Sequence, residues 1–201
     1  MLVRVALETS NHHAAADEDR LTALDIETVD DYRSFLTRIY GFEVEVEAAL
    51  AKVVDLDAAF VRDRAKTARL HHDLVVLGLT SEDIIPMPKV STLTIRNAAQ
   101  ALGWMFVLER HTLLAGLIRR HVVRTLGYEI LPGTSYLAAY GDTPGARFRA
   151  FGAALCAYAH TYPPASIVLA ANEAFRAQRQ WYATHAAFAR SRSSARCATG
   201  R

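Results

Sequence analysis

The chain has 201 residues, 51% of them hydrophobic, which is enough for one domain with a core and too short to expect two. Its 23 basic and 21 acidic residues give a formal net charge of +2, which excludes the strongly basic surface typical of nucleic-acid-binding proteins. Two widely separated cysteines, Cys156 and Cys197, argue against a disulfide scaffold or a zinc–thiolate site.

The N-terminus lacks the long apolar core of a signal peptide, and no run of about 18 apolar residues suggests a membrane span. We therefore expect a cytoplasmic protein whose partners include neither nucleic acid nor membrane. Few glycines and prolines, with abundant Ala, Leu, Arg and Glu, favour an all-α fold.

Helical periodicity predicts about seven helices and no sheet. The first helix spans the N-terminal 24 residues, and a capping box of Thr28 and Asp31 opens the second. Later helices are predicted over 57–77, over 96–126, from Pro144, and over 165–189. The segment "YGFEVEVEAAL" alternates like a strand, but its flanks favour helix. One helical domain over 1–190 and a disordered basic tail over 191–201 are expected.

Two adjacent histidines stand in the first helix, in "ETSNHHAAADEDRL". His13 falls on the apolar stripe, whereas His12 is rotated by about 100° towards solvent. Asp17 follows His13 by four residues, so its carboxylate is within reach of that imidazole. Two interpretations remain open: His13 is a core histidine bonded to backbone, or it is the lone protein ligand of a haem iron.

Common catalytic and metal-binding motifs are missing from the sequence. There is no GxGxxG, GxxxxGK[ST], HExxH or GxSxG, and no two histidines are four residues apart. Adjacent histidines diverge on a helix, so neither the His12–His13 pair nor the His71–His72 pair predicts a convergent metal site.

Several segments, in order, resemble the bacterial haem (heme) oxygenase family, particularly members that accompany bacteriophytochromes. "TSNHHAAAD" is similar to the family's opening helix, in which a threonine precedes the haem-ligating histidine by four residues. "DDYRSFLTRIYGFEVEVEAAL", "HDLVVLGL", "ALGWMFVLERHTLLAGLIRRHVVRTLG" and "SYLAAYGDTPGARFRAFGAAL" resemble later segments of the family. The resemblance covers about residues 5 to 185.

The resemblance implies a haem-oxygenase-like helical bundle that holds haem, as both substrate and cofactor, between the first helix and the long distal helix. His13 would bind the iron, supported by Asp17, and Arg147 and Arg149 would pair with the haem propionates. As an oxidoreductase, such an enzyme would cleave haem to biliverdin, carbon monoxide and ferrous iron. Its electrons would come from a ferredoxin or a flavoprotein reductase, and a bacteriophytochrome is a possible partner.

The distal helix departs from the family pattern. Relatives read close to LEGSTLGG where this chain reads "LERHTLLA", so Arg110, Leu114 and Ala115 replace three glycines. Glycines there let the helix backbone approach the haem face, and the larger side chains occupy that space. Phe106 stands close to where many relatives carry tyrosine. Glu109 matches the family's glutamate and is expected to have a structural role.

His111 replaces a small polar or acidic residue, and three roles remain open for it: a proton relay, a second iron ligand that blocks oxygen, or a side chain turned away from the pocket. Three functions follow. The first is an active haem oxygenase with Arg110 and His111 in its catalytic site. The second is a non-catalytic haem- or bilin-binding protein, such as a sensor or photoreceptor partner. The third is a different enzyme, such as a thiaminase-like protein, on the same architecture.

Overall fold

The computed structural model describes residues 1–91 and 93–198, with side chains described as far as residue 185. The described residues form an all-α fold without strands. Its nine α-helices are α1 (Leu2–Glu8), α2 (Ser10–Leu21), α3 (Val29–Leu50), α4 (Ala58–Arg62), α5 (Thr67–Val76), α6 (Ser81–Ile84), α7 (Ala98–Leu126), α8 (Pro144–Tyr158) and α9 (Pro164–Ala198). Two 3-10 segments, Thr22–Asp25 and Tyr128–Thr134, follow α2 and α7.

Helix α7 lies at the centre of the fold, and its most extensive contact is with α9. Gly103 makes this close approach possible: a Cβ there would lie 2.6 Å from the Cβ of Ala170, the amide nitrogen of Ala171 and the carbonyl oxygen of Ile167. Because two of these atoms belong to the α9 backbone, a side chain could fit only if the helices moved apart.

The other helices surround this pair. Helix α2 packs against α7 and α9, helix α3 against α5, α7 and α9, and helix α8 against α7 and α1. Two hydrophobic clusters form the core: the larger includes Phe106 and Phe175, and the smaller includes Tyr32 and Ile118. Helix α7 contributes side chains to both clusters and therefore joins them.

The prediction of about seven helices is too low because two predicted helices are each divided and the short helix α6 was not predicted. The N-terminal helix is interrupted at Thr9, between α1 and α2. The predicted helix over 57–77 is divided into α4 and α5, because the Glu47 carboxylate accepts hydrogen bonds from the backbone N–H groups of Lys66 (2.7 Å) and Thr67 (3.1 Å). A side chain from α3 thus caps the start of α5.

Other local predictions are confirmed. Thr28 and Asp31 form the predicted capping box at the start of α3, and "YGFEVEVEAAL" is helical. Helix α9 begins one residue before its predicted start. The predicted disordered tail stays a prediction, since α9 runs to Ala198, the side chains after 185 are not described and residues 199–201 lie outside the described residues.

Helix α7 is also the one described helix whose length and hydropathy would suffice to cross a membrane. However, 67% of its most apolar 18-residue window is buried inside the protein. That burial is typical of a central core helix.

Candidate functional site

Three consecutive residues in the middle of α7, Glu109, Arg110 and His111, have polar partners in three different parts of the chain. Successive side chains on a helix are about 100° apart, so the three cannot share one site. Glu109 accepts a hydrogen bond from Tyr140, Arg110 contacts Asp17 in α2, and His111 contacts Gln178 in α9.

The Arg110 guanidinium forms a bidentate ion pair with the Asp17 carboxylate, and its Nη2–Oδ2 distance is 2.7 Å. The side chains are 16% and 34% exposed, so the pair is neither fully buried nor freely solvated. Among the described contacts, the Asp17 carboxylate is hydrogen-bonded to Arg110 and not to His13, although the helical spacing places His13 within its reach. Asp17 nevertheless lies close enough to His13 to raise its pKa electrostatically.

The His13 imidazole is hydrogen-bonded through Nε2 to the Thr9 hydroxyl at 2.9 Å. That hydroxyl donates its proton to the carbonyl oxygen of Val5, so it accepts the bond from Nε2–H. The neutral ring therefore has its free lone pair on Nδ1. Burial, and next the nearby Arg110 guanidinium, lower the pKa of His13, which favours this neutral form.

Aromatic side chains surround the two histidines. The ring centroid of His13 lies 5.6 Å from that of Phe175 and 6.3 Å from that of the fully buried Phe106. His12 stacks on Phe175 with a centroid distance of 5.6 Å and an interplanar angle of 16°. His12, which was predicted to face solvent, is half-buried, and the ring of Phe175 contacts both histidines.

The His111 side chain is 2% exposed, and its Nε2 lies 2.9 Å from Nε2 of Gln178. Burial is the main cause, ahead of the nearby Arg20 and Arg110, of a His111 pKa well below its ordinary value. Of the three predicted roles, the hydrogen bond to Gln178 in α9 fits best with a side chain turned away from the pocket. A neutral imidazole held by an amide on α9 is poorly placed to accept protons near His13.

The remaining predicted site residues are dispersed. Leu114 is half-buried and packs against the smaller hydrophobic cluster. Arg147, in α8, forms an ion pair with Asp63 at 2.7 Å, and its guanidinium lies over the Tyr140 ring. Arg149, also in α8, is exposed. No contact among the described side chains joins either arginine to His13.

A buried polar network on the inner side of α7 was not predicted. The Arg20 guanidinium donates a hydrogen bond to the Tyr136 hydroxyl, which donates to the Glu43 carboxylate; both distances are 2.6 Å. All three residues are at most 3% exposed. Burial raises the pKa of Glu43 and places that of Tyr136 well above its ordinary value. The one signal in the sequence was the glutamates of "YGFEVEVEAAL", which interrupt an otherwise apolar helix face.

Haem is the group that the family resemblance implies. The imidazole of His13 is of a type that binds haem iron, but the packing around His13 does not fit a haem group. A neutral imidazole is a suitable iron ligand. However, its Nε2 is bonded to Thr9, Phe106 packs beside the ring, and the Asp17–Arg110 ion pair joins α2 to α7. Two cavities, of about 10 and 80 Å³, are lined by other residues. Both are far below the roughly 300–1,000 Å³ of typical ligand sites.

The described residues contain no cluster of three or more His, Cys, Asp or Glu side chains suited to a metal ion. No protein-family model matches the sequence. No curated protein matches it significantly. The support for a site at His13 therefore comes from the positions of the α2 and α7 residues.

Proposed function

We propose that this chain is a haem-oxygenase-like protein that binds a tetrapyrrole, haem or a bilin, between α2 and α7 without oxidising it. In this proposal His13 is the iron ligand when the tetrapyrrole is haem. The arrangement described is then a closed form, in which the Asp17–Arg110 ion pair occupies the entrance.

The Asp17–Arg110 ion pair is the observation that carries the proposal. Arg110 stands where the resembled family has a glycine, and its side chain extends from α7 to α2 instead of leaving that face open. A guanidinium and a leucine, Leu114, on this face would fill the space in which oxygen must bind for haem cleavage. The presence of Arg110 and Leu114 in place of the family's glycines therefore supports tetrapyrrole binding without catalysis.

The environments of the two histidines support the same proposal. His13 is half-buried, neutral and next to Phe106 and Phe175, which offer flat apolar surface to a tetrapyrrole. His111, the residue that could have relayed protons, is buried against Gln178. The described residues thus place an imidazole that can bind iron at position 13, while the imidazole at position 111 is engaged by Gln178.

The competing proposal is the enzyme itself, a haem oxygenase that yields biliverdin. Its support is the packing of α2 against α7, which places His13 beside the helix that would form the distal wall. If the ion pair opened easily, the two helices could separate enough to admit haem. An ion pair that solvent partly reaches contributes about 1 kcal/mol, so the two helices can separate at small cost.

Haem titration followed by reduction distinguishes the two proposals. Purified protein is titrated with haem, and a reductant such as ascorbate is then added in air. We expect a Soret band to form and the haem to remain intact. We expect the Arg110→Gly variant to bind haem up to about fivefold more tightly, since an ion pair worth about 1 kcal/mol no longer has to be broken.

Formation of a product with biliverdin absorption by the wild-type protein would support the enzyme instead. Failure of both the wild type and the Arg110→Gly variant to take up haem or biliverdin would contradict both proposals. His12→Ala is the matched control for His13→Ala, because both remove a half-buried imidazole from α2 beside Phe175. Only His13→Ala should alter the spectrum.

A further inference from the structure

A small cavity lies on the inner side of α7, away from Arg110. Its inner wall includes the buried residues Arg20, Lys66 and Tyr136. At its rim are the exposed Gly116 of α7 and Gly141, together with Pro144, the first residue of α8. The volume of about 10 Å³ suits one particle not much larger than a water molecule. We refer to this space as the α7–α8 cavity.

Arg20 has unused hydrogen-bond donors at the α7–α8 cavity. The residue is 1% exposed, and its Nη2 donates to Tyr136. Its Nε and Nη1 atoms have no hydrogen-bond partner among the described residues. The Tyr182 hydroxyl interacts electrostatically with Arg20 but forms no hydrogen bond of good geometry. A buried cation with two unmatched donor nitrogens, which together carry three N–H groups, is costly unless an acceptor is bound.

Lys66 adds a second buried positive charge to the same wall. It is 2% exposed, and its ammonium group donates to the carbonyl oxygen of Arg64 at 2.8 Å. Its nearest recorded carboxylate oxygen, Oε1 of Glu109, is 3.8 Å away, which is too long for a hydrogen bond. At least one of the three ammonium protons therefore remains available to a ligand.

No carboxylate lines the α7–α8 cavity; Glu43 and Glu109 lie near enough to act electrostatically on Arg20 and Lys66 but accept no hydrogen bond from them. Glu43 and Glu109 are bonded to Tyr136 and Tyr140, whose hydroxyl protons are donated to those carboxylates. The 15-residue helix α8 starts at the rim, and its N-cap Thr143 makes no side-chain capping bond. The positive end of the helix dipole adds to the field of the two cations.

We propose that the α7–α8 cavity binds a small monovalent inorganic anion of about the size of chloride, held by Arg20 and Lys66. An anion supplies both an acceptor for the free Arg20 donors and a negative charge, whereas a water molecule supplies only an acceptor. Phosphate and organic carboxylates exceed the available volume. The inference does not depend on tetrapyrrole binding, because Arg20 and Lys66 play no part in that proposal.

Thermal unfolding at constant ionic strength tests the proposal with chloride as the probe. Sodium chloride replaces sodium gluconate stepwise, gluconate being too large for the cavity. The melting temperature of the wild-type protein should rise by roughly 3–5 °C for each tenfold increase in chloride above its dissociation constant. The Arg20→Met variant should show no chloride-dependent rise. A wild type without this rise would overturn the proposal.

A second variant covers the case in which Arg20→Met fails to fold. Gly116 is exposed on α7, and a Cβ there meets only the end of the Arg120 side chain, at 3.6 Å. Gly116→Leu should cover the rim and remove the chloride dependence, whereas Gly116→Ala, the matched control, should keep it. An equal chloride dependence in all three proteins would place the anion elsewhere on the surface and contradict the proposal.

Bromide gives a direct readout of the position. Crystals grown in sodium bromide should show an anomalous peak within hydrogen-bond distance of Arg20 Nε or Nη1 and of Lys66 Nζ. Density for water at this position in bromide crystals, with no anomalous signal, would contradict anion binding.

Discussion

Glu109 and Arg110 are neighbours in α7, yet their surroundings differ greatly. Glu109 is 1% exposed, accepts a hydrogen bond from Tyr140 at 2.5 Å, and lies 3.8–3.9 Å from the charged nitrogens of Lys66 and Arg64. Among the described side chains, Arg110 has one hydrogen-bond partner, Asp17, in an ion pair that solvent partly reaches. One residue is fixed by several groups, whereas the other depends on one contact.

We therefore expect Glu109 to contribute mainly to stability and Arg110 mainly to ligand entry. Removing one member of a buried charged group leaves its partners uncompensated, which costs several kcal/mol, whereas an ion pair that solvent partly reaches breaks at lower cost. We therefore expect the Glu109 side of α7 to remain rigid. The Arg110 side is where α2 can separate from α7 to admit a ligand.

The largest expected effect follows from removing the Glu109 carboxylate. Glu109→Ala would leave Arg64, Lys66 and the Tyr140 hydroxyl without their buried partner, and it should lower the free energy of unfolding by about 3–5 kcal/mol. Urea denaturation measures this loss. Glu109→Gln, which keeps an acceptor for Tyr140, should lose less. A loss below about 1 kcal/mol for Glu109→Ala would show that these charges are not coupled.

An intermediate effect is expected from the pH dependence of His111. The pKa of His111 in the folded protein lies well below 6.5, so the unfolded chain binds a proton at acidic pH that the folded chain does not. Its contribution to stability is therefore present above pH 6.5 and is lost as the pH falls towards the folded pKa. The free energy of unfolding should change by up to about 1.4 kcal/mol per pH unit.

His111→Gln removes this titration while keeping a hydrogen-bonding group opposite Gln178. Denaturation of the wild type and the variant at pH 7.5, 6.5 and 5.5 isolates the contribution of His111, since the other histidines titrate in both. The difference in stability between them should change as the pH falls. Parallel pH profiles would mean that His111 is not held neutral by burial.

The smallest effect on stability, but a clear effect on binding, is expected from breaking the Asp17–Arg110 pair. Asp17→Asn should cost less than about 1 kcal/mol of unfolding free energy and should increase haem affinity. Glu8→Gln, which breaks the exposed Arg4–Glu8 pair in α1, is the matched control and should leave haem affinity unchanged. Equal affinities for the two variants would show that the Asp17–Arg110 pair does not restrict the entrance.

Structural features that depend on residues close together in the sequence were predictable. The apolar periodicity of α7 predicted a helix over 96–126, close to the observed Ala98–Leu126, and the Thr28–Asp31 capping box is present. The division between α4 and α5 was not predictable in this way. It depends on Glu47, which lies 19 residues before Lys66 in the chain and approaches it only after folding.

The contacts of the candidate site were also not predictable from the sequence, because they join residues that are far apart in the chain. Helical spacing placed the Asp17 carboxylate within reach of His13, but its hydrogen-bond partner is Arg110, 93 residues further along the chain. A guanidinium offers two parallel donors to a carboxylate, and this geometry is preferred over a single bond from an imidazole. The Arg20–Tyr136–Glu43 network was missed for the same reason, since its members come from three distant segments.

The most direct measurement of the central proposal is the haem affinity of the wild-type protein and of the His13→Ala variant, determined by absorbance titration of the Soret band. The proposed role of His13 predicts a histidine-ligated spectrum for the wild type. In the variant it predicts a changed Soret maximum and an affinity lower by at least about tenfold. An unchanged spectrum and affinity in His13→Ala would contradict iron ligation by His13 and, with it, the proposed site between α2 and α7.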